Sequence, residues 1–310
     1  MLLNLREYHR PTGGYDWQAF QNALAMLARG DVRTAVLAGG NDLLGQADPT
    51  VEAVVDLQEL GLNRVTLEAG RPDRLRIGAM VTRTALAEDP TAQAIYGGIL
   101  AEGARRWSGS VQRNLATIGG AVATAAANDP LIAALLACDA TVVLHLYQGV
   151  QTMPISGFLP RRVYILAIPA LITDLVIACP SPPIGGAIAS VGRTPADAPI
   201  VLAAAALAAA NGQCQTARLA LGGVADAPLR LSEIEEQLIG KPLSDEAIAS
   251  AAAQVAELVR PAGDFRGSAE YRRAMAGVLA RRALCAAWER SNATHLHPEQ
   301  PTPDLGDHGQ

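Results

Sequence analysis

The sequence predicts a mixed α and β chain of two domains, on three observations. Short apolar runs of strand length alternate with segments whose apolar residues recur every three or four positions. The stretch Ser181-Pro182-Pro183-Ile184-Gly185-Gly186 defeats both helix and ladder and reads as a linker. At 310 residues the chain is long enough for about two domains, each able to bury a core without metal or disulfide staples.

The elements follow in order. Asp16 caps a helix whose Trp17, Phe20, Leu24 and Leu27 form one buried face. Ala35 to Ala38 is a buried strand that runs straight into Gly39-Gly40-Asn41-Asp42. Short strands follow at Val54 to Leu57, Val65 to Leu67 and Leu75 to Gly78, the last two joined by a turn at Gly70-Arg71-Pro72-Asp73. Thr82 caps a short helix through Leu86, and Thr91 to Arg106 carries a second helical pattern weakened by Gly97, Gly98 and Gly103. Ser108 to Gly120 breaks all periodicity and reads as a loop ending in a second Gly-Gly. Asp129-Pro130 starts a helix with Leu131, Leu135 and Leu136 on its apolar face, and Ala140 to Leu146 is a strand.

Beyond the linker, the pattern predicts an Ala-rich helix at Asp197 to Ala210 and a strand at Ala217 to Leu221. Helices are predicted near Leu231 to Leu238, Ser244 to Leu258 and Ala269 to Trp288. From Ser291 to Gln310 there is almost no apolar content, and this stretch reads as a disordered tail.

Composition narrows the function. Half of the residues are hydrophobic and 18% charged, and 25 Lys+Arg against 30 Asp+Glu leave a net charge of −5 without any basic run. A phosphate-backbone footprint is therefore not expected, and nucleic acid is excluded as a partner. Cys138, Cys179, Cys214 and Cys285 form no C-x-x-C pair, so neither a zinc site nor a cysteine-ligated iron–sulfur cluster is predicted; they read as reduced thiols. Arg6 and Glu7 stand where a signal peptide would need its apolar core, and Val163 to Ile172 and Ile200 to Ala210 are too short or Pro-interrupted to span a bilayer. The expectation is a cytoplasmic protein with no membrane insertion. His9, His145, His295, His297 and His308 are scattered and suggest no metal site; His145 reads as a half-buried core histidine.

Two glycine loops rise above this background, Ala38-Gly39-Gly40-Asn41-Asp42 and Ala116-Thr117-Ile118-Gly119-Gly120. Without a Cβ, glycine adopts positive φ and exposes successive N–H groups, the requirement for holding a phosphate or pyrophosphate oxygen. The G-x-G-x-x-G dinucleotide fingerprint, the Walker P-loop and the G-x-S-x-G nucleophile elbow are all missing, so Ser110 reads as a loop hydroxyl.

The string Ala35-Val36-Leu37-Ala38-Gly39-Gly40-Asn41-Asp42-Leu43-Leu44, followed by Arg113-Asn114-Leu115-Ala116-Thr117-Ile118-Gly119-Gly120, resembles the flavin motifs of the FAD-binding medium subunit of molybdenum hydroxylases. That family includes the middle subunit of aerobic carbon monoxide dehydrogenase and the flavin portion of xanthine dehydrogenase. The resemblance continues through Val191-Gly192-Arg193, Leu221-Gly222-Gly223-Val224, Leu238-Ile239-Gly240-Lys241-Pro242 and Arg266-Gly267-Ser268-Ala269-Glu270-Tyr271-Arg272.

The resemblance implies an α+β fold. Its first part is a vanillyl-alcohol-oxidase (PCMH-type) FAD-binding domain at 1–180, made of two α/β subdomains at about 1–57 and 58–180. A C-terminal α+β domain of the CO dehydrogenase flavoprotein type follows at 185–290. It also implies that FAD lies between the subdomains, its pyrophosphate on backbone N–H groups of Ala38, Gly39, Gly40, Asn41, Asp42, Thr117, Ile118, Gly119 and Gly120, with Leu43 and Ala121 beside them. Asp129 matches an acidic position near the cofactor, a partner for ribityl or ribose hydroxyls; its other reading is the cap of the helix it opens.

Four positions depart from the family pattern. Ala121 stands for the usual Asn or Asp, Ala126 for Pro, Ile188-Ala189-Ser190 for aromatic-x-Lys, and Thr194 for the second Arg. Each lost side-chain bond to a charged phosphate weakens binding by about 1.5–3 kcal/mol, while backbone contacts survive, so FAD is still expected to bind.

The implied function is an electron-transfer subunit of an oxidoreductase. Electrons would pass from [2Fe–2S] clusters of a small partner subunit through FAD to an acceptor, with the substrate oxidised at the molybdenum cofactor of a large subunit. The implied assembly is a heterotrimer or a dimer of heterotrimers. No side chain need act as acid or base. The alternative is a degenerate structural subunit of the same complex that has lost FAD. A free-standing flavin oxidase is disfavoured, since the first loop holds no His or Cys for covalent attachment.

Overall fold

The structure is a computed structural model that describes residues 2, 4–194 and 197–295. Three sheets organise it. In the first, β1 (Glu7–His9), β2 (Thr34–Leu37) and β3 (Ala53–Asp56) pair in parallel in the order β1-β3-β2. Helix α1 (Trp17–Leu27) buries Phe20 and Leu24 beside Val55 and Leu57, and Asp16 caps it by accepting from Gln18 N and Ala19 N. Helix α2 (Asn41–Gln46) leaves the end of β2.

The second sheet is antiparallel. It comprises β4 (Val65–Glu68), β5 (Arg71–Gly78), β6 (Thr141–Leu146), β7 (Gly149–Pro154) and β8 (Ala170–Ala178), in the order β4-β5-β8-β6-β7. Helices α3 (Arg83–Glu88), α4 (Pro90–Ala94), α5 (Ile99–Arg105), α6 (Ser110–Leu115), α7 (Ile118–Thr124) and α8 (Pro130–Ala137) lie between β5 and β6, and α9 (Ile155–Phe158) and α10 (Arg162–Ile165) precede β8. Every residue of α8 is buried, as expected of a helix apolar on all sides.

The third sheet pairs β9 (Gly185–Val191), β10 (Val201–Ala210), β11 (Gln213–Gly222) and β12 (Leu229–Arg230) antiparallel, in the order β12-β11-β10-β9. Helices α11 (Ser232–Leu238), α12 (Asp245–Leu258) and α13 (Ala269–His295) cover one face.

Here the predicted Ala-rich helix at 197–210 is overturned: residues 201–210 form β10. Leu202, Ala204, Ala206 and Ala208 face the core shared with α8, whereas Val201, Ala203, Ala205 and Leu207 face the core under α13. A strand buried on both faces loses polar alternation, and alanine lets the flanking helices approach; helix propensity gives way to tertiary packing.

Other expectations are corrected on similar grounds. Gly185 and Gly186 belong to β9 rather than to the linker, because α13 lies so close that a Cβ on Gly185 would sit 2.0 Å from the Ala287 carbonyl oxygen. The helix expected at 91–106 is broken between α4 and α5, where Tyr96, Gly97 and Gly98 are left-handed with φ of 50°, 58° and 78°. Residues 108–120, read as loop, contain α6 and the start of α7, each under two and a half turns and too short to show a period. Arg71 to Asp73, read as turn, open β5. Residues 291–295, expected as the start of a tail, belong to α13, with Ser291 fully buried, and 296–310 lie outside the described residues.

His145 on β6 is more deeply buried than half, with 6% exposure, between the rings of Phe20 and Trp17 at centroid distances of 4.5 and 5.7 Å. Burial pushes its pKa below the usual 6.5, and Arg76 adds to this, while Asp174 opposes it. The unfolded chain then takes up a proton near pH 6.5 and the folded chain only at lower pH. The stability this site contributes above 6.5 is therefore lost as pH falls below it. The melting temperature of the wild type should fall more steeply than that of His145→Leu between neutral pH and acid.

Candidate functional site

The first glycine loop joins β2 to α2. Gly40 caps α2 in the left-handed conformation, with φ of 77°, and the amides of Gly39, Gly40, Asn41, Asp42 and Leu43 donate to no protein acceptor among the described residues. Unsatisfied N–H groups at a turn entering a helix make a concave positive surface suited to phosphate oxygens.

The second loop lies directly against the first. A Cβ on Gly39 would fall 1.8 Å from the Leu115 carbonyl oxygen, Asn41 Nδ2 donates to the Gln112 carbonyl at 3.1 Å, and Thr124 Oγ1 donates to Asp42 Oδ2 at 2.8 Å. The amides of Ile118 to Ala121, however, are spent inside the chain. Ile118 N donates to Val81 O at 2.9 Å, Gly119 N to Ala79 O at 2.8 Å, Gly120 N to Thr117 Oγ1 at 3.2 Å and Ala121 N to Thr117 O at 3.0 Å. From Ile118 onward this loop contributes close backbone approach instead of free donors. A Cβ on Gly119 would lie 2.6 Å from that of Ala79.

The loops border a cleft of about 370 Å³, within the usual size of a ligand pocket. Ala38, Gly39, Gly40, Asn41, Asp42, Leu43, Thr117, Gly119, Gly120, Ala121 and Asp129 all line it; Ile118 does not, its side chain being fully buried in the core. Leu57, which follows β3 of the first sheet, and Met80, Leu166, Leu171 and Ile172, from the second sheet and its connections, supply apolar walls, which a planar ring system requires.

Asp129 serves as the cap of α8, accepting from Leu131 N at 2.9 Å. It also accepts two bonds from Arg83, one at 3.1 Å from Nη1 to Oδ1 and one from Nη2 to Oδ2, both side chains being 2% exposed. The Arg83 guanidinium lies 4.5 Å from the Trp107 ring centroid. Arg83 and Trp107 line the cleft and were not foreseen, because neither stands in a glycine loop nor at a telling spacing. Asp129 neutralises Arg83, and Asp42 is acidic, so an anion in this cleft would rest on amide dipoles and not on an excess of cations.

Residues 10–177, more than half of the chain, match the family described as FAD binding domain in molybdopterin dehydrogenase. The chain belongs to that family. A second stretch of this FAD-binding-family chain is matched too: residues 187–287 fit the CO dehydrogenase flavoprotein C-terminal domain. The carbon monoxide dehydrogenase medium chain of Hydrogenophaga pseudoflava is 30% identical over 290 residues, covering 92% of this chain and 97% of the relative. The nicotine 6-hydroxylase medium subunit of Paenarthrobacter nicotinovorans is 32% identical over 270 residues, covering 84% and 92%. Among solved structures, a chain of reconstituted CO dehydrogenase from Oligotropha carboxidovorans superposes with a TM-score of 0.83 at 29% identity, covering 94% of this chain and 100% of that one. The family's cofactor is FAD, and the cleft meets its demands in glycine space, free amides and apolar walls. Among the described residues no helix is long and apolar enough to cross a membrane, and no cluster of His, Cys, Asp or Glu could hold a metal.

The C-terminal signature is structural. Arg272 is buried, donates to the carbonyls of Ile200 and Gly223 at 2.8 and 2.9 Å and pairs with Asp264 at 2.6 Å. The Arg272 and Arg266 guanidiniums hold the Asp264 carboxyl well below the usual carboxylate range.

Proposed function

We propose that the chain is the FAD-binding electron-transfer subunit of a three-component molybdenum hydroxylase. It would receive electrons from [2Fe–2S] clusters of a small partner subunit and pass them through FAD to an acceptor, while a large partner subunit oxidises the substrate at its molybdenum cofactor. The observation that carries this reading is the run of five unpartnered amides from Gly39 to Leu43 at the mouth of a two-subdomain cleft. Bound flavin supplies the change between one- and two-electron steps. The chain's own residues bind and orient it: the first loop accepts the diphosphate, the second keeps the backbone close, and Leu57, Met80, Leu166 and Leu171 exclude water.

The four medium-subunit departures leave a second reading, a structural subunit without flavin, favoured by Ala121 and Ala126 in the cleft lining. Copurification separates the two. If the complex carries FAD that is reduced when the iron–sulfur partner is reduced, the electron-transfer reading stands; a complete complex without flavin overturns it.

Ala121 is 8% exposed and faces the cleft. Ala121→Asn should tighten FAD about 10-fold or more, since a side-chain bond to a charged phosphate contributes about 1.5–3 kcal/mol. Quenching of flavin fluorescence on titration measures it.

A further inference from the structure

The connection from β7 to β8, residues 155–169, leaves an apolar surface open to solvent beside the flavin cleft. Val163, Tyr164 and Ile168 are 67%, 79% and 55% exposed, and α10, a single turn, buries none of its residues. Leu166, whose N donates to the Arg162 carbonyl at 2.8 Å, lines the cleft, as do Ala170 and Leu171 just beyond. The exposed patch and the apolar wall of the cleft are one continuous stretch of chain.

Two arginines flank the patch. Arg161 Nε donates to the Gly157 carbonyl at 3.2 Å and Arg162 Nη1 to the Leu159 carbonyl at 2.9 Å, and neither meets a carboxylate among the described residues. No acidic residue occurs from Gly149 to Thr173, although the whole chain has a net charge of −5. A guanidinium has five donors, so each keeps several for an acceptor outside the chain. Tyrosine and arginine around an exposed apolar centre are the composition of a protein interface. Helix α6 also exposes Val111 and Leu115, but it adjoins the first glycine loop, where Asn41 Nδ2 donates to the Gln112 carbonyl. That is the diphosphate end of the cleft, whereas residues 161–168 adjoin the end walled by Leu166 and Leu171, which suits the planar ring.

We propose that residues 161–168 are the docking surface for the iron–sulfur partner subunit, with Tyr164 as the apolar anchor and Arg161 and Arg162 as a cationic rim. This inference rests on the electron-transfer reading above. Electron transfer weakens steeply with distance, so the donating cluster has to reach the ring end of the cleft and not the diphosphate end. A four-cysteine [2Fe–2S] cluster is an anion, since four thiolates and two sulfides outweigh two ferric ions, and two guanidiniums without carboxylates complement that sign. The apolar centre excludes water from the contact.

The test replaces Tyr164 by the photocrosslinker p-benzoylphenylalanine in the full chain, coexpressed with its partner subunits, and irradiates the purified complex. One adduct is expected, with the mass of this chain plus the iron–sulfur subunit. An adduct with the large subunit or with a second copy of this chain, or no adduct, overturns the proposal. If that complex still holds FAD and the iron–sulfur subunit, the electron-transfer reading survives; a complex without an iron–sulfur subunit overturns both. Charge reversal gives a second arm. Arg161→Glu/Arg162→Glu should weaken binding of the FAD-loaded chain to the iron–sulfur subunit at least about 10-fold at low salt and less at high salt, at unchanged FAD content. Arg33→Glu, at the end of β2 away from the glycine loop, should bind as the wild type does. Equal binding by the double variant and the wild type overturns the proposal. Should the photocrosslinker prevent assembly, amide hydrogen exchange of the unsubstituted chain decides: residues 161–168 are slowed when the iron–sulfur subunit binds if the surface is right, and unchanged if it is not.

Discussion

Gly39→Ala strips FAD from the protein. The added Cβ would lie 1.8 Å from the Leu115 carbonyl oxygen and 2.8 Å from its carbon, both backbone atoms that no rotamer change can move. Relief requires the two glycine loops to separate, and such overpacking costs about 1–3 kcal/mol, with the amides that would hold the diphosphate displaced together. A loss of at least about 10-fold in FAD affinity is expected, read as flavin absorbance per chain after gel filtration. Gly45→Ala in α2 is the control, since nothing lies within 4 Å of its added Cβ, and it should retain flavin with equal or slightly higher stability.

The second large effect lies at Arg83 and Asp129. Either Arg83→Met or Asp129→Asn alone leaves one buried charge uncompensated, which costs about 3–5 kcal/mol. Arg83→Met/Asp129→Asn removes both charges, and Asn keeps an oxygen to accept from Leu131 N, so the cap survives. The double variant should recover most of the loss, falling short by the contact of Arg83 with Trp107. Urea denaturation of all three without FAD measures the coupling; strictly additive losses would mean that the pair does not act as a unit.

What could be read from the sequence and what could not follows from where the signal resides. Helix α1 was legible because Asp16 and the three-four spacing of Phe20 and Leu24 are local, and α12 likewise from Ser244, whose hydroxyl accepts from Ala247 N. The glycine loops were legible because their backbone demands restrict the residue type itself. Strand β10 was not, since ten residues made mostly of alanine present no period, and only the close flanking of α8 and α13 decides their state. Nor was the use of the second loop's amides: the acceptors Val81 and Ala79 are about forty residues away in sequence and meet it only in the fold. Arg83 and Trp107 belong to the same class, side chains whose meaning lies in partners distant along the chain.

The most direct measurement is the visible spectrum of the purified full chain before and after addition of FAD, followed by removal of unbound cofactor. Retention of one flavin per chain, lost in Gly39→Ala and kept in Gly45→Ala, is the result predicted. A folded wild-type chain that stays colourless after incubation with FAD would contradict it.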